Sequence, residues 1–230
     1  ASDVYKRQNV DTLLRLTTNL INFSKANVYS SSLRISEHEL NTYMEGICHA
    51  FYSYAEAKQI KLDYKSNFEY QNVWFDKEKM DSITKNLISN AIKYTPAHGE
   101  VHIIICHDKD NWSLEITDTG IGIPAKEQKK LFKLHFRGSN AINAKITGSG
   151  IGLMLVWKLV RIHKGKISIE SVENKGTRVK VIFPQKQFRN QQVPTETVQQ
   201  ENVAPVSPSA VSPHTYKDLY RQHVQNTQRI

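Results

Sequence analysis

Two hydrophobic periods alternate along the chain. From Asn9 to Lys25, Val10, Leu13, Leu16, Leu20 and Phe23 recur at helical spacing, and Leu14 and Ile21 widen the apolar face. The pattern predicts a helix that needs a partner, as in a bundle or coiled coil. After "NVYSSS", the stretch "SEHE" reads as a capping box with Ser36 at the N-cap and Glu39 at N3, predicting a second helix from Ser36 to about Lys58. "IKLDY" and "NVWF" read as short strands. Asp76 caps a third helix, Lys77 to Tyr94, which stops ahead of Pro96. On it, Met80, Ile83, Thr84, Leu87 and Ala91 share the face that buries on a sheet. "EVHIIICH" and "NWSLEIT" are strands around the polar turn "DKDN". Ile151 to His163 is an apolar helix, and "KISIES" and "TRVKVIFP" form a hairpin across "VENKG". About five strands and three helices between Ser36 and Pro184 predict an α/β domain, a two-layer sandwich of helices on a mixed, mostly antiparallel sheet.

The ends read differently. "DVYKRQ" in the first eight residues resembles the translation of a sequencing-library adapter, so 1–8 are set aside as non-native, and the protein is expected to continue upstream. From Gln185 the chain turns rich in Gln, Pro, Ser and Val without periodicity, predicting a disordered linker over 185–215 and an unassigned tail over 216–230. Cys48 and Cys106 lack metal-binding spacing, and no apolar run or signal peptide stands out, which together suit a cytoplasmic domain. The net charge is +9. Much of it is local: Lys126, Lys129, Lys130, Lys133, Arg137 and Lys145 face one acid, Glu127. With few aromatics and no nucleic-acid motif nearby, this patch suits a bound polyphosphate better than a duplex, the alternative being a solvated basic face.

The patch lies between two glycine breaks, "DTGIGIP" (Asp118 to Pro124) and "GSGIGL" (Gly148 to Leu153). An aspartate at a strand end can accept from an amino group, and the glycines let a flat ring approach the backbone. The second break opens onto a helix, whose N-terminal amides favour an anion. On the third helix, Asn86, Asn90 and Lys93 fall along one edge of the buried face. Amide oxygens suit Mg²⁺, which shares its ligands with phosphates, and a lysine can neutralise a phosphate. Tyr94 can lie over a base or ribose. Phe132, Phe136 and Arg137 stand between the breaks, and Phe132 to Gly148 is expected to act as a lid.

The runs "NLISNAIKYTP", "DTGIGIP", "LFKLHFRGS", "GSGIGL" and "NKGTRVKVIFP" resemble the N, G1, F, G2 and G3 boxes of sensor histidine kinases, over about residues 35–184. Their style is similar to that of hybrid two-component sensors of Bacteroides-like bacteria. The resemblance implies a Bergerat-type ATP-binding domain over 29–184, preceded over 9–28 by the second helix of a dimerisation hairpin. It implies Asn86 and Asn90 for Mg²⁺ and phosphates, Lys93 and Arg137 for phosphate, and Tyr94 for the nucleotide. It implies Asp118 for the adenine amino group, Gly120 and Gly122 for the adenine loop, and Thr177 for a water-mediated adenine contact. Gly148, Gly150, Gly152 and Leu153 are implied for the lid hinge and triphosphate. Two positions depart from the usual pattern: Ser149 stands where threonine is frequent, and Arg178 where an apolar residue is common.

Such kinases phosphorylate a histidine in a box ending in proline. "HELNT" (His38 to Thr42) is followed by Tyr43 instead, and fewer than 50 residues separate His38 from Asn86, too few for the intervening hairpin. The acceptor is therefore expected upstream of residue 9 and the present chain to be inactive alone. The remaining histidines read as surface or loop residues. Gyrase- or chaperone-type ATPases of the same fold carry a glutamate at the position of Asn86, and an amide cannot take a proton from water. Asn86 thus favours transfer to another acceptor over hydrolysis, and the intact boxes disfavour a non-catalytic nucleotide-binding module. The family further implies a homodimer, a response regulator or receiver domain as partner, no nucleic acid, and possible anchoring of the intact protein in the inner membrane.

Overall fold

The computed structural model describes residues 32–133, 136–144, 146, 148–185 and 188. The predicted helix over 9–25, the adapter-like 1–8, most of the linker and the tail over 216–230 lie outside the described residues. Five strands form one sheet in the order β2 (Lys61–Ser66), β4 (Glu100–His107), β5 (Asn111–Asp118), β7 (Gly176–Pro184), β6 (Lys166–Val172). β2 runs parallel to β4 and every other pair is antiparallel, which is the mixed, mostly antiparallel sheet expected. β1 (Ser36–Glu39) and β3 (Asn72–Phe75) make a separate antiparallel ribbon.

Three long helices pack on one face: α1 (Leu40–Ala57), α2 (Lys77–Tyr94) and α4 (Gly152–Ile162). The short α3 (Ser139–Asn143) lies between the glycine breaks. The sheet's inner face is set by strand parity. Val101, Ile103 and Ile105 are buried on β4, as are Trp112, Leu114 and Ile116 on β5. α2 meets them with Met80, Ile83, Thr84, Leu87 and Ala91, the predicted face, joined by Ile88 and Ile92. α4 adds Leu155, Val156, Leu159 and Val160. Each of the Val, Leu, Ile and Met side chains among these contributes about 1.5–3 kcal/mol on burial.

Three expectations are corrected. Ser36 to Glu39 is a strand, not a first helical turn. Glu39 itself is the N-cap of α1, its carboxylate accepting from the Asn41 and Thr42 amides at 3.1 and 2.6 Å and from the Gln71 amide at 3.1 Å. Pairing with β3, His38 opposite Val73, outweighs the local capping box. His163 is neither a surface nor a loop residue: it is buried at the end of α4. Its Nδ1–H donates to the Leu159 carbonyl at 2.8 Å, so Nε2 is the acceptor for the Asp76 amide at 3.3 Å. Asp76 caps α2 as expected and also accepts from Lys79 Nζ at 2.7 Å and the Arg34 amide at 2.9 Å. Finally, packing continues past Pro184: Gln185 and Phe188 are 1% and 3% exposed, and Gln185 Oε1 accepts from the Trp74 amide at 3.0 Å.

Candidate functional site

A cavity of about 460 Å³ opens between α2, the end of β5, the segment around α3 and the start of α4. Of the predicted site residues, Asn86, Asn90, Lys93, Tyr94, Asp118, Gly122, Arg137, Gly150, Gly152, Leu153 and Thr177 line it. Gly120 and Gly148 stand just behind, one against the Tyr94 carbonyl and the other against Lys93 Nζ.

Asp118 continues the buried series Trp112, Leu114, Ile116, so the parity that builds the core delivers a carboxylate to the cavity floor. It is 8% exposed. Burial pushes its pKa up to about 6, against the pull of two hydrogen bonds from backbone amides. Both bonds, from Gly120 at 2.9 Å and Thr177 at 3.2 Å, fall on Oδ1. Oδ2 is left for a ligand donor. The loop beyond is pinned. The Ile121 amide donates to the Tyr94 carbonyl at 3.1 Å, and the Asn174 amide donates to the Ile121 carbonyl at 2.8 Å. Gly122 adopts φ +61°, and a Cβ there would sit 2.0 Å from the Val172 carbonyl oxygen, so only glycine fits. Thr177 Oγ1 lies 2.9 Å from Ser171 Oγ, a polar pair beside the carboxylate. Ile121, Ile123, Leu87 and Val179 supply apolar walls.

The other end is polar. Asn86 donates through Nδ2 to the Ser82 carbonyl at 2.7 Å, which turns its Oδ1 away from the helix backbone. That oxygen faces the start of α4 so closely that a Cβ on Gly152 would meet it at 2.7 Å. Lys93 Nζ donates to Tyr94 Oη at 3.3 Å and lies 4.8 Å above that ring. The start of α4 therefore lies against the edge of α2 that carries two amides and a lysine, and the first amides of a helix have no carbonyl partner within it. Among the described residues no group of three His, Cys, Asp or Glu side chains can cage a metal. Two amide oxygens are a partial hard-ligand set, of the kind an ion completes with phosphate oxygens and water.

Arg137 lines the cavity, but its Nη2 donates to the Ile146 carbonyl, so the guanidinium ties the segment to itself. Phe136 is a wall residue, while Phe132 lies 6.4 Å from the Trp157 ring. Sequence reasoning missed Asn140, whose side chain bonds the loop after Asp118, and a trio beside Asn86. In that trio Asp81 accepts from Tyr43 Oη and Lys85 Nζ, both at 2.8 Å. The helical-spacing and glycine-break signals that marked the other residues do not single out these positions.

Residues 75–187 match the family model "Histidine kinase-, DNA gyrase B-, and HSP90-like ATPase". The chain is 29% identical over 184 residues to the circadian input-output histidine kinase CikA of Synechocystis sp., covering 79% of this chain and 24% of that protein. It is 27% identical over 185 residues to the sensor histidine kinase WalK of Bacillus subtilis, covering 79% of this chain and 30% of that protein. The chain thus spans 24% and 30% of the length of these two relatives. Among solved structures, the catalytic domain of histidine kinase ThkA superposes with a TM-score of 0.59 at 24% identity, covering 66% of this chain and 98% of that one. ThkA in complex with the response regulator protein TrrA gives 0.57 at 22% identity, covering 75% and 49%. Those likenesses speak for the fold. With the family match over the cavity and the sensor-kinase relatives, residues 75–187 form an ATP-binding catalytic domain of the histidine kinase type.

Proposed function

We propose that this domain binds MgATP and presents its γ-phosphate to a histidine on the dimerisation hairpin of a two-component sensor. The observation that carries the reading is the meeting, in one cavity, of a buried carboxylate on a pinned apolar floor with two amides, a lysine and a helix N-terminus. Asp118 Oδ2 accepts from the adenine amino group, Ile121 and Ile123 exclude water from the ring, and Thr177 assists from the side. Asn86 offers its oxygen and Asn90 its side-chain amide to the phosphates, Lys93 neutralises charge there, and the α4 amides hold the remaining phosphate oxygens. A Mg²⁺ held by Asn86 and Asn90 would spread the charge of the triphosphate when bound.

Asn86 stands where hydrolysing relatives of this fold need a base, and its amide cannot activate water. The reaction then depends on an acceptor side chain brought in line with the phosphate. His38 is a poor candidate. It sits in β1 with its ring stacked 4.6 Å from Phe75 and Nε2 2.8 Å from Ser36 Oγ. We assign the acceptor to a hairpin upstream, the homodimer to that hairpin, and the receiving partner to a response regulator, the kind of protein found in complex with ThkA. Among the described residues no helix is long and apolar enough to cross a membrane. Membrane anchoring would therefore fall to other parts of the intact protein.

The test is incubation with radiolabelled MgATP, for this chain and for a longer chain carrying the upstream hairpin. Acid-labile, base-stable label is expected in the longer chain alone. Label on the present chain that disappears in His38→Gln would reassign the acceptor.

A further inference from the structure

The segment between the glycine breaks is fastened to the loop after Asp118 by one side chain. Asn140, in α3, donates from Nδ2 to the Gly122 carbonyl at 2.9 Å and to the Ile121 carbonyl at 3.3 Å. Its Oδ1 lies 2.9 Å from the Ala141 amide, which assigns the two ends of the side-chain amide and leaves nitrogen toward the loop. Glu127, four residues after the loop's Ile123, accepts from the Ser139 amide at 2.9 Å through Oε2 and steadies the start of the same helix. Ala141 is buried, and its carbonyl accepts from the Ile146 amide at 3.0 Å. The Ile146 carbonyl in turn receives Arg137. A continuous set of bonds runs from the base-side floor through Asn140 and α3 to Arg137.

The Ile121 carbonyl already accepts from the Asn174 amide at 2.8 Å. Asn140 uses that oxygen's second lone pair and therefore costs the loop nothing it needs elsewhere. Asn140, Ala141, Ile121 and Gly122 all line the cavity, so this strap joins two of its wall segments into one.

We propose that Asn140 is the positioning residue of the base slot: its amide holds α3 against the Ile121 and Gly122 carbonyls, so the wall beside the adenine is in place before nucleotide arrives. The inference rests on the nucleotide-binding reading above and adds a specific claim about where affinity is set. The carbonyls that Asn140 itself holds, those of Ile121 and Gly122, belong to the base-side loop, so loss of its amide weakens every adenine nucleotide by one common factor. It acts through a donor, so side-chain shape without a donor does not replace it.

Calorimetric titration and stopped-flow dissociation with ADP and MgATP, on wild type, Asn140→Ala and Asn140→Asp, test this. Asn140→Ala is expected to weaken ADP and ATP equally, by about fivefold, the worth of an ordinary hydrogen bond, through faster dissociation. Asn140→Asp keeps the shape but turns a carboxylate toward two carbonyls and is expected to be worse than alanine. A purely steric role predicts the reverse order. Thermal midpoints without nucleotide are expected to match among the three proteins, which separates the slot from the fold. Unchanged affinities in both variants, a loss confined to ATP, or an aspartate variant that behaves as wild type each overturn the strap. Failure of the wild type to bind either nucleotide overturns the parent reading instead.

Discussion

At the base end of the cavity the backbone is committed to the protein, whereas at the phosphate end side chains and a helix terminus are turned outward. The loop after Asp118 is held by Tyr94, Asn174 and Asn140, and its Gln128 neighbour reaches back to the Ile123 carbonyl at 3.1 Å. At the second break, Gly148 to Leu153, the Ile151 amide lies 3.4 Å from Ser149 Oγ. The contrast fits the proposed nucleotide. A flat, neutral ring gains from a rigid slot with one directed acceptor. A triphosphate needs donors whose partners arrive with it, and which must let it pass on. Rigidity gives selectivity at one end, and adjustable polar groups serve chemistry at the other.

The sharpest way to break this comparison is at the phosphate end. In a chain that carries the acceptor hairpin, Asn90→Ala is expected to lower the rate of phosphotransfer by about 100-fold, the scale of a misplaced reacting group. ADP affinity is expected to change far less. An equal loss in both would make Asn90 a general binding residue and remove the division of labour. At the base end, Asp118→Asn should weaken ADP and ATP alike by about 10–100-fold, since a hydrogen bond to a charged group is worth about 1.5–3 kcal/mol. GTP, whose ring carbonyl would face the carboxylate, should bind poorly to the wild type. Calorimetric titration with ATP and GTP decides it, and equal affinities would sink the assignment of Asp118.

How much of this could be read from the sequence depended on whether a signal was local. Asp118 was legible because the strand itself carries its orientation: it falls on the same parity as Trp112, Leu114 and Ile116. Asn86, Asn90 and Lys93 were legible because helical spacing puts them on one edge of α2. The "SEHE" stretch misled because its capping box is a sound local motif, overridden by pairing with β3 more than thirty positions away. His163 misled for a similar reason, its partner Asp76 lying 87 positions upstream. Asn140 left no trace at all: an asparagine in a polar stretch is an ordinary surface residue until the fold brings the Gly122 carbonyl to it. Local pattern carries faces, caps and glycine breaks. Contacts between distant elements need the fold.

Acidity separates the two ends more finely. In the proposed binding mode Asp118 must be an acceptor, and its pKa is raised from 3.8 to about 6. Nucleotide affinity should therefore fall as pH drops through 6, by about tenfold per pH unit once the group is protonated. Stability responds with the opposite sign. The folded state holds the Asp118 proton more tightly than the unfolded chain does, so this group disfavours folding above pH 6. The penalty, at most about 3 kcal/mol, is relieved as pH falls toward 4. His163 opposes that trend, because burial lowers its pKa and its contribution is lost as pH falls below the ordinary histidine value of 6.5. The stability difference between wild type and Asp118→Asn cancels the histidine. Denaturant unfolding of both proteins from pH 7.5 to 4.5 should show the mutant's advantage shrinking on acidification. A constant difference would mean that Asp118 is solvated rather than buried.

The smallest effect concerns motion, and amide hydrogen exchange reads it directly. At the base end the Gly120 and Ile121 amides already donate inside the protein, to Asp118 Oδ1 and to the Tyr94 carbonyl. Their exchange requires local opening, so it should be slow without ligand and slow only modestly further, about twofold, when MgATP is added. At the phosphate end the amides of Gly150 and Gly152 lie where α4 begins, and the first amides of a helix have no carbonyl partner within it. A bound triphosphate supplies that partner, so these two should slow by more than the Gly120 and Ile121 pair. ADP sharpens the test further: it fills the base slot as ATP does but brings one phosphate fewer. If the two ends are built as argued, ADP and ATP protect Gly120 and Ile121 equally, and ATP protects Gly150 and Gly152 more than ADP does. Identical protection by both nucleotides at all four amides would mean that the second break closes in response to the base. The contrast between a fixed slot and an adjustable phosphate end would then be lost.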